Sequence, residues 1–137
     1  MDGEQAAVKA DAMEIIKLCW VGTRTDNAEP TVAFFRDVLG LRPEPLGEDF
    51  WMAKLPDGGK VEIFGPRSDH NRHFDSGPVA GFLVDNVPAA TDELRAARVE
   101  ILLEPEVDQW GNAWVHFRAP DGNIYEFTQD PGVTRPA

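Results

Sequence analysis

The chain has 137 residues and a formal net charge of −11, with 42% hydrophobic and 27% charged residues. This length suffices to bury a core and fits one domain or two small fused ones. The acidic balance argues against binding to nucleic acid or an anionic membrane, because both need clustered Lys and Arg. The single Cys19 excludes an internal disulfide and fits a reducing cytosol. No apolar run approaches the about 18 residues of a membrane span, so we expect a soluble, cytoplasmic protein.

The first part of the chain predicts a strand and a helix after a polar lead-in at residues 1–12. Residues 13–21 are mostly β-formers and predict the first strand. Residues 29–39 carry apolar side chains at helical spacing, and Gly40 ends this helix in the left-handed conformation. Residues 42–49 contain two prolines, so any strand there is short and lies at a sheet edge.

The stretch at residues 50–64 is repeated without a gap at residues 114–128. Each copy is an apolar run, a Pro-Asp-Gly turn and a second apolar run, which predicts a β-hairpin. The alignment places Glu62 on Glu126, each a lone carboxylate inside the returning strand. A single glutamate there would be read as part of a solvated sheet face. Because it recurs in both halves, we interpret the pair as two walls of one site.

The segment between the two halves, residues 66–77, has the composition of a linker. It contains His70 and His73, whose spacing would suit a metal, but the sequence around them is more typical of a solvated turn.

The second half repeats the order of the first. Its strand, helix and further strand are predicted at residues 78–84, 88–98 and 99–103. The chain therefore divides into a lead-in at 1–12, a βαβββ module at 13–65, the linker at 66–77, a second βαβββ module at 78–128 and a tail at 129–137.

Each module predicts a four-stranded, largely antiparallel sheet with its helix on one face, which gives an α+β fold. Strand alternation directs Glu62 and Glu126 to the face opposite the helix, where aromatic and polar side chains mix. Two such curved faces set against each other would enclose a pocket typical of a small-molecule site, with the helices outside. The predicted pocket residues are Trp20, Phe50, Met52, Glu62, Phe64, Trp110, Trp114, His116, Arg118 and Glu126.

The β-α-β-β-β repeat, the helix end AFFRDVLGL and the paired PDG-x-x-x-E hairpins resemble the vicinal oxygen chelate superfamily. This superfamily includes glyoxalase I, bleomycin-resistance proteins and extradiol dioxygenases, and the resemblance covers residues 13–128. It implies a homodimer, since family members of this length usually associate, with modules that pair within or between chains.

The resemblance also implies where a metal would bind. Metal enzymes of the superfamily take up to four ligands from the first and last strands of the two modules. Carried over, the last-strand positions are Glu62 and Glu126, and the first-strand positions fall on Cys19 or Trp20 and near Val79. Neither Trp nor Val can bind a metal, and two carboxylates alone hold a divalent ion loosely.

Other side chains carry weaker signals. His116 is expected to contact a ligand or to act as a general acid or base tuned by Glu126, with a purely structural histidine as the alternative. Trp110 is expected either to close over the pocket mouth or to pack. Arg24 would meet an anionic ligand or offset local acidic charge, and Cys19 is read as an inert core residue.

Together these observations predict a small-molecule-binding protein of the glyoxalase/bleomycin-resistance type, with its ligand in an aromatic pocket between Glu62 and Glu126. Without a cofactor, it would be a binding protein or a metal-independent enzyme that uses His116 and Glu126 as catalytic residues. The alternative is a metal-dependent lyase, isomerase or dioxygenase acting on vicinal oxygens, with one divalent ion at Glu62 and Glu126.

Overall fold

In the part of the chain that the structure describes, eight strands and two helices follow the order that the sequence predicts, β-α-β-β-β twice. The computed structural model describes residues 13–75 and 77–131, so the lead-in and most of the tail lie outside it. The elements are β1 (Ile15–Arg24), α1 (Ala28–Asp37), β2 (Glu44–Gly47), β3 (Phe50–Lys54), β4 (Lys60–Phe64), β5 (Val79–Val84), α2 (Val87–Ala96), β6 (Glu100–Val107), β7 (Ala113–Arg118) and β8 (Ile124–Gln129).

The strands form one open mixed sheet in the order β2-β3-β4-β1-β5-β8-β7-β6. Strands β1 and β4 pair in parallel, as do β5 and β8, and every other neighbouring pair is antiparallel. The two four-stranded halves meet where β1 pairs with β5. This α+β arrangement confirms the predicted fold class, and β2 is the short edge strand expected within residues 42–49.

Each helix packs on the outer face of its own half, as the apolar spacing predicts. Val32 of α1 packs with Ile63, and Leu94 of α2 belongs to a larger cluster that includes Val115. Burying each such side chain contributes about 1.5–3 kcal/mol. These two clusters leave the opposite face of the sheet free to line a cavity. Neither helix in the described ranges has the length or hydrophobicity of a membrane span.

Both Pro-Asp-Gly turns adopt the same local structure. Gly58 and Gly122 have φ angles of +91° and +87°, a region in which a residue with a Cβ atom is strained. The carboxylates of Asp57 and Asp121 accept hydrogen bonds from the backbone N–H two residues later, at 2.8 and 2.9 Å. The turn chemistry of the repeat therefore fixes two equivalent hairpins.

The largest boundary error concerns β6, which was expected at residues 99–103 and extends to Val107. Glu106 pairs with Trp114 and Val107 pairs with Ala113, so the hairpin continues beyond the predicted strand. The register is irregular between Leu103 and Glu106, around a proline that has no N–H to donate. Tertiary pairing thus outweighs the local preference for a loop.

Candidate functional site

A cavity of about 610 Å³ lies between the inner faces of the two halves. The structure brings the following predicted pocket residues to its wall: Trp20, Phe50, Glu62, Phe64, Trp114, His116 and Glu126. The remaining wall consists mainly of polar side chains from residues 69–73 and from the strands and loops of the second half.

Arg118 was predicted to face this pocket, but it lies outside the wall. Its guanidinium forms ion pairs with Asp75 at 3.1 Å and with Glu100 at 3.7 Å. It also donates a hydrogen bond to the carbonyl oxygen of Gly122 at 2.8 Å. These acceptors draw the side chain to the hairpin end, away from the cavity.

Trp110 and Met52 also lie outside the wall. The Trp110 side chain, in the turn between β6 and β7, is 70% exposed and does not cover the cavity mouth. Met52 is half-buried on β3 beside Glu62, and Phe50 is the β3 residue that reaches the cavity.

The indole of Trp20 occupies the centre of the inner face. A Cβ atom at Gly22 would lie 2.2 Å from this ring, and one at Gly81 would lie 3.0 Å from it. Gly22 is therefore needed for the ring to extend over the backbone of β1, and a side chain at Gly81 would be tightly packed against it. The indole faces Glu62, whose pKa it lowers, and stacks with His116 at a centroid distance of 6.5 Å.

The two repeated glutamates occupy equivalent register positions. Glu62 pairs with Gly22 across β1 and β4, and Glu126 pairs with Gly81 across β5 and β8. Burial raises the pKa of Glu62 to about 7, although Trp20 opposes this shift. Burial also raises the pKa of Glu126 to about 8. Both carboxyl groups consequently titrate near neutral pH instead of being fully ionised.

A chain of three side chains leads away from Glu126. Its Oε1 atom lies 2.7 Å from Nε2 of His116, and Nδ1 of His116 lies 2.7 Å from Nε2 of His73. Burial lowers the pKa of His116 to about 4 and lowers the pKa of His73 as well. Because burial disfavours charge on both Glu126 and His116, we assign both side chains as neutral. The Glu126 hydroxyl then donates to His116, and His116 donates through Nδ1 to His73.

The loop between β4 and β5 folds over the cavity and forms the predicted turn, in which His70 is exposed but His73 is half-buried against His116. The His70 ring lies 4.7 Å from that of Phe50, measured between centroids. Phe74 is 5% exposed and packs against Trp20, with 6.0 Å between ring centroids. Sequence reasoning missed Phe74, although a lone aromatic residue within a polar linker is a signal for an anchored loop.

Cys19 is half-buried in β1 beside the aromatic cluster of the cavity. Burial raises the pKa of its thiol to about 11, and the nearby Glu126 contributes to the same shift. The thiol is therefore held in its protonated, weakly nucleophilic form.

Two βαβββ modules with a ligand-sized cavity between their inner faces define the class of fold. The family model of the Glyoxalase/Bleomycin resistance protein/Dioxygenase superfamily matches residues 17–127. This match spans most of the chain, and the chain belongs to that superfamily. No curated protein matches the chain.

Solved structures show the same fold at low sequence identity. A Streptomyces coelicolor methylmalonyl-CoA epimerase variant in complex with 2-nitronate-propionyl-CoA is 19% identical, with a TM-score of 0.64 over 90% of this chain and 100% of that one. Methylmalonyl-CoA epimerase from Mycobacterium tuberculosis is 15% identical, with a TM-score of 0.63 over 92% and 95%. The hypothetical protein BH1468 from Bacillus halodurans C-125 is 17% identical, with a TM-score of 0.65 over 88% and 98%.

The side chains present do not fit a four-ligand metal site. Of the two candidates for the first-strand position of module one, Trp20 lines the cavity and Cys19 does not, and Val79 in module two is fully buried in the aromatic cluster. Within residues 13–75 and 77–131, no group of three or more His, Cys, Asp and Glu side chains has an arrangement that could hold a metal ion. Glu62 and Glu126 are thus left without the further protein ligands that catalytic metal sites generally need.

Proposed function

We propose that this protein binds a small molecule in the cavity between Glu62 and Glu126. This proposal rests on the position of Trp20, which lines the cavity from β1. Glu62 of the first module lies on the adjacent strand β4, and Glu126 of the second module lies on β8. A flat ring can stack on the indole while its polar groups meet the two carboxyl groups.

The size and walls of the cavity support this function. Its volume of about 610 Å³ falls within the roughly 300–1,000 Å³ that is usual for small-molecule sites. Phe50 and Phe64 stack at 4.8 Å between ring centroids and add a second aromatic surface. The ligand is therefore a compound with a flat, partly apolar portion.

The charge of the wall favours cationic groups on that ligand. The basic side chains of Lys60 and Arg72 are outnumbered by the acidic side chains of Asp69, Glu106, Asp108 and Asp130, and Glu62 and Glu126 add negative charge when a bound cation favours their ionised form. A polyanion such as a CoA ester would meet this surface unfavourably, whereas an aromatic ammonium or guanidinium compound complements it.

The hydrogen-bonded chain from Glu126 favours a second candidate, a metal-independent enzyme that transfers protons. When Glu126 accepts a proton from a bound substrate, its own Oε1 proton can pass to Nε2 of His116. The Nδ1 proton of His116 then passes to Nε2 of His73, which ends as the cation. Exchange of deuterium from solvent into a bound compound, abolished by His116→Asn, would identify this activity.

Fluorescence titration tests the binding proposal. Replacing Trp51 and Trp110 by Phe leaves Trp20 and Trp114, which both line the cavity, as the tryptophans of the chain. We expect planar aromatic cations, tested beside neutral and anionic analogues and bleomycin, to quench this emission in chelator-treated protein.

A bound cation favours the ionised form of either carboxyl group, so Glu62→Gln and Glu126→Gln should each weaken cation binding about tenfold, the loss expected for one charge-assisted contact. Glu44→Gln, on the exposed edge strand β2, is the matched control and should leave binding unchanged. No quenching by any compound in the panel would contradict the proposal.

We also propose that the protein forms a homodimer. Strands β2 and β6 are the edges of an open sheet, and every β2 residue is exposed. Pairing or covering such edges protects them from aggregation. A monomer in sedimentation at micromolar concentration would contradict this assembly.

A further inference from the structure

Arg24 organises the loop that covers the cavity, although it is not itself part of the cavity wall. Its guanidinium donates hydrogen bonds to the carbonyl oxygens of Gly65 at 2.9 Å and of Ser68 and Asn71 at 3.2 Å, and to that of His70. Four of its five N–H donors thus bind backbone carbonyl groups, which leaves one for an anionic ligand.

These bonds hold the loop against the site. The carbonyl oxygens at residues 65, 68, 70 and 71 bind one guanidinium, and residues 69–73 all line the cavity. A guanidinium carries five N–H donors in a rigid planar fork, so one Arg can hold several carbonyl groups at once. An amide or a point-like ammonium lacks this geometry.

Further contacts fix the two ends of the loop. At its start, the backbone N–H of Arg67 donates to the buried carboxylate of Asp49 at 2.8 Å, and Gly65 N–H donates to the Asp49 carbonyl at 2.8 Å. At its end, Asp75 forms the ion pair with Arg118. Arg24 binds the middle of the segment, directly before His73.

We propose that Arg24 is a positioning residue of the site, which places His73 against His116 and so completes the chain to Glu126. The inference rests on the proposed function only in that a bound ligand would use these three hydrogen-bonded side chains. The contact between the two imidazole rings stands on geometry alone and is measured without any ligand.

Nitrogen-15 NMR of the histidine rings tests this inference directly, because the chain contains only His70, His73 and His116. In the wild type we expect a slowly exchanging N–H proton between His73 and His116. Arg24→Gln should abolish this signal while circular dichroism shows retained secondary structure. Arg36→Gln, which removes an exposed arginine on α1, is the matched control and should keep the signal. Persistence of the signal in Arg24→Gln would overturn the proposal.

A second measurement needs no variant and covers the case in which Arg24→Gln fails to fold. Exchange of the Arg24 Nε proton with water should be at least about tenfold slower than that of Arg36, because hydrogen bonds to the loop protect it. Equal exchange rates at the two arginines would overturn the proposal. Since neither readout involves a ligand, failure here is distinct from failure of the fluorescence titration.

Discussion

Glu126 and His116 lie 2.7 Å apart through Oε1 and Nε2, and both side chains are almost completely buried. In water at neutral pH, the glutamate of such a pair would be a carboxylate and the imidazole would be partly protonated. Burial here disfavours charge on both partners, so a shared proton holds them together without an ion pair. His116 joins this pair to His73 in the loop, and its removal should affect both neighbours.

Replacing His116 by Ala should lower the free energy of unfolding by about 3 kcal/mol, because a buried ring is lost and Glu126 loses its hydrogen-bond partner. His73→Ala, at the half-buried end of the chain, should cost only about 1 kcal/mol. Urea denaturation of both variants measures the difference. Equal losses of free energy of unfolding would show that His116 contributes no more to stability than His73.

Stability should fall as the pH rises from about 6.5 to 8.5. Glu62 and Glu126 have pKa values raised from 4.5 to about 7 and about 8, so the folded state binds more protons than the unfolded state in this range. His116 has the opposite effect on stability. Its pKa is lowered from 6.5 to about 4, so its contribution to stability rises with pH between those two values.

Above pH 6.5 the carboxyl groups therefore act without opposition from His116, and we expect a loss of about 2 kcal/mol across this window. Urea denaturation at three pH values measures it, with Glu62→Gln and Glu126→Gln each expected to flatten the profile. Stability that rises with pH in both variants and wild type would contradict the neutral state of these groups.

Divalent metals should leave the melting temperature of the chelator-treated wild type unchanged. Zn²⁺, Ni²⁺, Mn²⁺ and Fe²⁺ would be tested, because a ligand that binds only the folded state stabilises it. A shift of several degrees that Glu62→Gln and Glu126→Gln both abolish would support the metal-dependent enzyme instead.

The double variant Trp20→His with Val79→His provides a positive control for this experiment. It places imidazoles at the two first-strand positions and creates a potential four-ligand set with Glu62 and Glu126. We expect its melting temperature to rise by several degrees with Zn²⁺ or Ni²⁺. Absence of a shift would mean that these four positions do not converge on one ion.

The repeated hairpins were predictable because their turn chemistry is local. The Pro-Asp-Gly sequence determines the turn, strand alternation determines the face, and the ungapped repeat therefore gives the equivalence of Glu62 and Glu126. The first-strand ligand positions, at Cys19 or Trp20 and near Val79, were implied by the family resemblance and not by this repeat.

The loop over the cavity was not predictable from its own composition. Its conformation depends on Arg24 and Asp49, which are distant in sequence, and its polar residues are equally compatible with a solvated linker. The direction of Arg118 likewise depends on Asp75 in that loop. The parts of the site that the sequence did not predict are therefore those whose positions depend on side-chain contacts between residues distant in sequence.

A crystal structure of the protein soaked with the aromatic cation that quenches its fluorescence most strongly tests the central claim most directly. We predict electron density for the aromatic ring over Trp20, with the cationic group within hydrogen-bond distance of Glu62 or Glu126. Density for the compound at another surface, with the cavity filled only by water, would contradict it.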